Sequence, residues 1–325
     1  MTAMATADEA QEFEKGTIGL SRKELNDIVA QIRKLAETPH TEMVEGADET
    51  LNTQLSSIET QGNATNSVSE LAKLVDDARQ TGMTFLSNVS ANDISKPFNL
   101  TFMLQNPDFV SDAASGWTSA KAPGYGGGAA EFYETTFDFY QTLSNMPSGV
   151  YQLRAYAFQR PGETNAVYTQ YAAGNRNIST ELYIGNTAEQ VKHICDDSQP
   201  FALFTGDGAD LRLANGTYVP NTMSGTARYF AKGLYDSSVT AEQETSNANL
   251  RVGIRSKKSA SYYWSIFDHF RLFFFGQNKT PLGVNDIVTE QRTNHVIYDL
   301  SGRRVSADRL SKGLYIVNGK KIWVK

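Results

Sequence analysis

Apolar residues change their spacing once along this chain, near Pro97, and that change limits what it can fold into. Before it they recur at helical spacing, and after it they alternate. Leu25, Ile28, Val29, Ile32 and Leu35 form one stripe, opened by Ser21 and Glu24 as a capping box. Leu51, Leu55 and Ile58 form a thinner second stripe. Val68, Leu71, Leu74, Val75 and Ala78 form a third, opened by Ser67 and Glu70. Each stripe is one-sided and must be buried, so the spacing predicts a small three-helix bundle over residues 8–92.

From Phe98 onward the period is two. Over Val150 to Phe158, Tyr151, Leu153, Ala155 and Ala157 share one face, and Gln152, Arg154, Tyr156 and Phe158 share the other. Further strands are predicted at Phe102–Leu104, Phe137–Leu143, Thr180–Ile184, Asn249–Ile254 and Tyr262–Phe275, the last interrupted by a turn. Many short strands without alternating helices predict an antiparallel jelly-roll β-sandwich over residues 97–277 rather than a parallel sheet. Inside it, Ser224 to Tyr235 reads as a short helix closed by Gly233, and Gly124 to Gly128 as a flexible loop. A linker around Pro281 leads to residues 281–325, a small C-terminal β-sandwich with hairpin signals at Ser301-Gly302 and Asn318-Gly319. The predicted class is mainly β, with a helical bundle in front.

Composition then narrows the function. The balance of 30 Lys+Arg against 36 Asp+Glu, with no basic run, lacks the electrostatic footprint of a nucleic-acid binder. No segment approaches the ~20 apolar residues of a membrane span, so no transmembrane segment is expected. Cys195 is the only cysteine, which excludes a disulfide framework, a Cys-rich zinc site and a CxxC pair. There is no HExxH, GxSxG or Walker A motif, and the glycine run at 124–128 lacks the strand–turn–helix setting of a phosphate loop. Glu131, Glu134, Asp138, Glu181 and Asp268 are the carboxylates a glycosidase would draw on, but sequence does not pair them across a cleft. No catalytic residue is assigned and no enzymatic activity is expected.

Sugar binding needs an aromatic face for the ring and planar polar groups for its hydroxyls. The stretch from Arg160 to Ser179, read as a loop, supplies Arg160, Tyr168, Tyr171, Asn175 and Arg176. Trp117 and Tyr125 lie in a second predicted loop, and Tyr262 in a third. These eight residues are the predicted ligand set. For Trp117, as for Trp264, burial in the core is the competing reading.

Three segments carry a resemblance: Asn106-Pro107-Asp108-Phe109 with Gly116-Trp117; Phe137 to Leu143 leading to Pro147–Tyr151; and Trp264 to Leu272. Together they resemble the galactose-binding-like jelly rolls, a fold that includes many carbohydrate-binding modules. Tyr218 to Met223 and Asn249 to Ile254 are similar to a subgroup common in secreted proteins of Bacteroidetes. Val296 to Arg303 and Gly313 to Val317 resemble type IX secretion sorting domains of the same bacteria. The resemblance implies a secreted or outer-membrane surface protein with a glycan or polysaccharide as partner. It requires no cofactor, although such jelly rolls often hold a structural calcium ion, for which Asp108 and Asp268 are the matching carboxylates; His269 stands where relatives often have Asn. Residues 1–20 show neither a basic nor an apolar signal region, so a signal peptide is expected outside this sequence. Two alternatives stay open: a structural or adhesive module that contacts other cell-surface proteins, and the non-catalytic part of a polysaccharide-active glycoside hydrolase.

Overall fold

The structure, a computed structural model, describes the chain from Ala7 to Gly276 except residues 92, 94 and 110–114, and four strands between Ile297 and Val324. The chain forms two compact units, Met1–Thr280 and Pro281–Lys325. No helix among the described residues is long and apolar enough to cross a membrane.

Three helices open the first unit: α1 (Ala7–Glu37), α2 (Ala47–Ala64) and α3 (Val68–Ser87). Their predicted stripes are buried, with Leu25, Val29, Ile32, Leu55 and Leu71 essentially inaccessible, except that Val68, the first residue of α3, is exposed. The Ser67 hydroxyl caps α3 by accepting from the Glu70 N–H at 3.3 Å. Ser21 and Glu24 open nothing, because α1 runs through them without a break. The neighbouring Arg22 instead donates to the Gly62 and Thr65 carbonyls at 3.1 and 2.8 Å, satisfying orphan acceptors at the end of α2. The helices share one apolar core with the strands that follow. The Phe85 ring of α3 packs on Phe98 at 6.5 Å, and Phe98 on Phe274 at 6.3 Å.

Two sheets of seven and four strands follow, and their nine strands of three or more residues are β1 (Gly124–Gly126), β2 (Ala129–Tyr133), β3 (Phe137–Met146), β4 (Gly149–Pro161), β5 (Thr180–Ile184), β6 (Thr187–Gln190), β7 (Asp236–Gln243), β8 (Ala248–Ser256) and β9 (Tyr263–Phe274). The first sheet runs β7-β4-β9-β2-β1 and the second β3-β8-β5-β6, with antiparallel pairing between all these neighbours. Between the sheets lie Leu153, Ala155, Phe267, Phe139, Leu182, Val252 and Ile254, the inward half of each alternation. The other face of the first sheet is covered as well. Phe158, Trp264 and Ile266 join a second core with Val167 of helix α4 (Thr164–Ala172) and Tyr229 and Phe230 of helix α5 (Met223–Phe230). This is why β4 carries aromatics on both faces.

Four local readings change. Phe102 to Leu104 is not a strand: Thr101–Met103 form a 3₁₀ turn, with the Asn99 side chain accepting from the Thr101 N–H at 2.9 Å. A short apolar run does not distinguish the two by period. The glycine run is a hairpin, with Gly127 and Gly128 both at positive φ (61° and 83°), the geometry of a tight two-residue turn. Residues 164–172 are helical rather than loop, because the Glu163 carboxylate accepts from the Asn165 and Ala166 N–H groups at 3.0 and 3.2 Å. Finally, β9 is one strand interrupted by a bulge between Asp268 and Arg271, where His269 takes φ 60°.

In the second unit, Ile297–Tyr298, Arg304–Val305, Gly313–Val317 and Lys320–Val324 form one antiparallel sheet. Val317 faces Lys320, so two residues separate the last strands.

Candidate functional site

The register of the first sheet places three side chains in a row at the end of the sandwich. Trp264 on β9 is opposite Tyr133 on β2 and opposite Arg160 on β4. Directly opposed residues share a face, so all three project to the outer side. Trp264 lies beneath, 3% exposed, and the Arg160 guanidinium sits 5.2 Å from its ring centre. The indole Nε1 donates to Glu131 Oε2 at 2.6 Å, which fixes the ring from the β2 side.

Above this floor the surface is aromatic and open. Tyr133 is 45% exposed and Tyr262 51%, two of the few large exposed apolar side chains among the described residues. Glu134 and Tyr262 hold the two strand ends together: the Glu134 N–H donates to the Tyr263 carbonyl at 2.8 Å, and the Tyr262 N–H donates to Glu134 Oε1 at 2.7 Å. Both residues sit at positive φ (50° and 64°), strained backbone of the kind found at binding sites. Arg160 Nε points to the Tyr262 carbonyl at 3.5 Å. Burial lowers the Arg160 pKa, opposed by Tyr133, Glu163 and Glu131. Burial also raises the Tyr133 phenol, helped by Glu134. The result is a shallow platform of two tyrosines with a fixed guanidinium and a carboxylate at its edge.

Of the eight predicted ligand residues, the structure brings Arg160 and Tyr262 together here. The other six lie elsewhere. Trp117 is 8% exposed and stacks on Phe139 at 4.7 Å, and Tyr125 packs on Phe109 at 6.0 Å with its hydroxyl buried. Tyr168 lies on α4, half-buried against the second core. Tyr171 donates its hydroxyl to Asp196 at 3.0 Å and stacks on His193 at 4.7 Å. Arg176 caps that stack, 5.6 Å from the Tyr171 ring, and donates to Asp196 Oδ1 at 2.7 Å. Burial would lift Asp196, but Arg176, the His193 N–H and Tyr171 together hold it below the usual carboxylate range. Asn175 is exposed just past the helix. Sequence reasoning missed Tyr133, because only the β2–β9 register shows that it faces Trp264.

A second aromatic cluster lies on the outer face of the second sheet. Tyr140 and Tyr183 flank Gly253, and Arg251 stacks 3.3 Å over Tyr140 while donating to Asp138 at 2.7 Å. Asp138 also accepts from the Tyr183 hydroxyl at 2.6 Å. These groups satisfy one another and leave Tyr183 buried.

The calcium reading finds a different arrangement. Asp108 Oδ1 lies 2.8 Å from His269 Nδ1 and 2.8 Å from an Arg271 guanidinium nitrogen, so the protein already sets a cation of its own against that oxygen. Among the described residues no group of three or more His, Cys, Asp or Glu is placed to hold a metal. As arranged, these residues do not fit a calcium site. Asp268 lies nearby, its pKa raised to about 7 by burial first and by Asp108 in addition.

No protein-family model matches the chain, and no curated protein matches it. Among solved structures it is similar to TmCBM61 in complex with β-1,4-galactotriose, at 13% identity over 53% of this chain and 97% of that one, with a TM-score of 0.26. It is also similar to a CBM4 structure, at 12% identity over 57% of this chain and 90% of that one, with a TM-score of 0.21. Both are carbohydrate-binding modules.

Proposed function

We propose that this chain binds carbohydrate without catalysing, on the platform made by Tyr133 and Tyr262 with Arg160 and Glu134 at its edge. The observation that carries the reading is the exposure of the two tyrosines beside a guanidinium held rigid over Trp264. A sugar ring offers an apolar CH face to an aromatic and hydroxyls to planar polar groups, and both kinds of partner converge here. The platform is shallow, so binding would be weak per site and would depend on several sites acting together. Its carboxylates already have work: Glu131 accepts from Trp264, and Glu134 from the Tyr262 backbone. Both carboxylates therefore have structural roles, which accords with binding rather than hydrolysis.

The setting belongs to the same proposal: a secreted or outer-membrane surface protein of a Bacteroidetes-type bacterium. Its support is the sorting-like motif Val296 to Arg303 with Gly313 to Val317. The test is a glycan array probed with the full chain beside Tyr133→Ala, Tyr262→Ala and a Tyr168→Ala/Tyr171→Ala double variant. Selective binding lost in the first two and kept in the third supports the rim platform. Binding lost only in the third moves the site to α4. Silence across plant, mucin and microbial glycans from folded protein overturns the reading in favour of an adhesive or structural module.

A further inference from the structure

A cavity of about 280 Å³ lies on the outer face of the first sheet, away from the tyrosine platform. Its lining is Gly127, Ala129, Tyr156, Ala227, Phe230, Ala231, Asp268 and His269. Regular alternation would send Asp268 and His269 to opposite faces of β9. The bulge between Asp268 and Arg271, with His269 at φ 60°, brings both to the cavity instead. One wall is built of small residues on the β1–β2 turn and α5, which leaves the space unfilled. The rest of the lining includes aromatic rings. The Tyr156 and Phe230 rings are 5.8 Å apart at 32°, and His269 stacks on Tyr156 at 5.0 Å.

Asp268 completes the set. Its Oδ1 is buried without a hydrogen-bond partner, an expensive state for a carboxylate that a bound cation would relieve. Arg271, the cation that acts on Asp268, contacts Asp108 and is not in the cavity wall, and neither is Arg154, which pairs with Asp236. Aromatic faces attract cations through their quadrupoles, most strongly when desolvated. The space corresponds to about nine waters' share of liquid volume, room for a compact organic group.

We infer that this cavity binds a small organic cation, an alkylammonium group held by the Tyr156 and Phe230 rings and the Asp268 carboxylate. The inference does not depend on carbohydrate binding at the rim. It is tested on the full chain with ¹³C-methyl alanine labelling, by titrating tetramethylammonium chloride against sodium chloride at matched ionic strength and against neopentyl alcohol, an uncharged group of the same shape. Saturable shifts of the Ala129, Ala227 and Ala231 methyls with tetramethylammonium alone are expected. Asp268→Asn should weaken that binding by about tenfold or more. Ala231→Leu, which fills the cavity and leaves the carboxylate in place, should abolish the shifts at Ala129 and Ala227. No saturable shift in folded wild-type protein, or equal binding of neopentyl alcohol, overturns the inference whether or not either variant folds.

Discussion

The Arg160 guanidinium rests 5.2 Å from the Trp264 ring centre, and Trp264 is held in turn by Glu131 through a 2.6 Å hydrogen bond. Surface arginines ordinarily lose side-chain entropy on binding a ligand; this one has lost it on folding. Trp264→Phe keeps a ring under Arg160 but removes the N–H, leaving Glu131 without that donor. A hydrogen bond to a charged group is worth about 1.5–3 kcal/mol. We expect Trp264→Phe to lower unfolding free energy by about that amount, and a double-mutant cycle with Glu131→Gln to show coupling of the same order. Additive losses in urea denaturation would mean that the pair is not coupled.

Gly253 lies between Tyr140 and Tyr183 in the second sheet. A Cβ there would meet the Phe139 carbonyl oxygen and stand 2.8 Å from Tyr140 Cβ. The carbonyl is backbone in the adjacent strand and cannot rotate away. Gly253→Ala should therefore cost about 2 kcal/mol or more, although alanine is otherwise the better strand residue. A midpoint of chemical denaturation equal to wild type would show that the sheet yields.

These two sites mark where the sequence is legible and where it is not. Thr180–Ile184 is the same strand in the sequence and in the structure, because Thr180, Leu182 and Ile184 share the face turned to the core and that spacing follows from period two. The Trp264–Arg160 and Trp264–Tyr133 pairings are set by register between strands distant in sequence, and no local pattern encodes register. Tyr171 and Arg176 look like ligand residues because polar neighbours flank them. Their polar partner is Asp196, which only the fold brings near. Helix α4 was hidden for a related reason: only Thr164 and Val167 of its nine residues are buried, so it shows almost no apolar stripe. The His269 bulge is legible only as an interruption of the last strand: histidine is among the few non-glycine residues enriched at a φ such as its 60°, but no local pattern places the bulge at that residue.

His193 sets one component of the pH response. It is fully buried, and burial pushes its pKa down to about 4, with Arg176 acting the same way and Asp196 opposing. In the unfolded chain an imidazole takes up its proton near pH 6.5. Between that pH and the folded value, the unfolded state binds more protons, so stability rises with pH across the window and falls as pH drops through it. Above pH 6.5 the contribution is complete, and by about pH 4 it is lost, an effect of up to about 3 kcal/mol. His193→Phe preserves a ring under Tyr171 and removes the titration. Melting curves at pH 7 and pH 4.5 should show a smaller acid loss for the variant, and equal losses in the two proteins would assign the acid sensitivity to other groups.

Calcium removal separates the protein's own ion pairs from a bound metal. Asp108 Oδ1 is 2.8 Å from both Arg271 and His269, and a divalent cation in the same place would stand against the guanidinium. A ligand that binds only the folded state stabilises it by an amount that grows with the logarithm of its concentration over its Kd, so an absent ligand leaves no signature when chelated. We expect EDTA and excess calcium chloride each to leave the melting temperature unchanged to within about 1 °C. Arg271→Ala should instead destabilise by up to about 1 kcal/mol, because it removes the ion-pair partner of a partly exposed carboxylate. If calcium then restores the lost stability in that variant, the metal and the guanidinium are alternative solutions to the same electrostatic problem, and this chain uses the guanidinium. A drop of several degrees on chelation of the wild-type protein would instead place a calcium ion at Asp108 and require Arg271 to move aside.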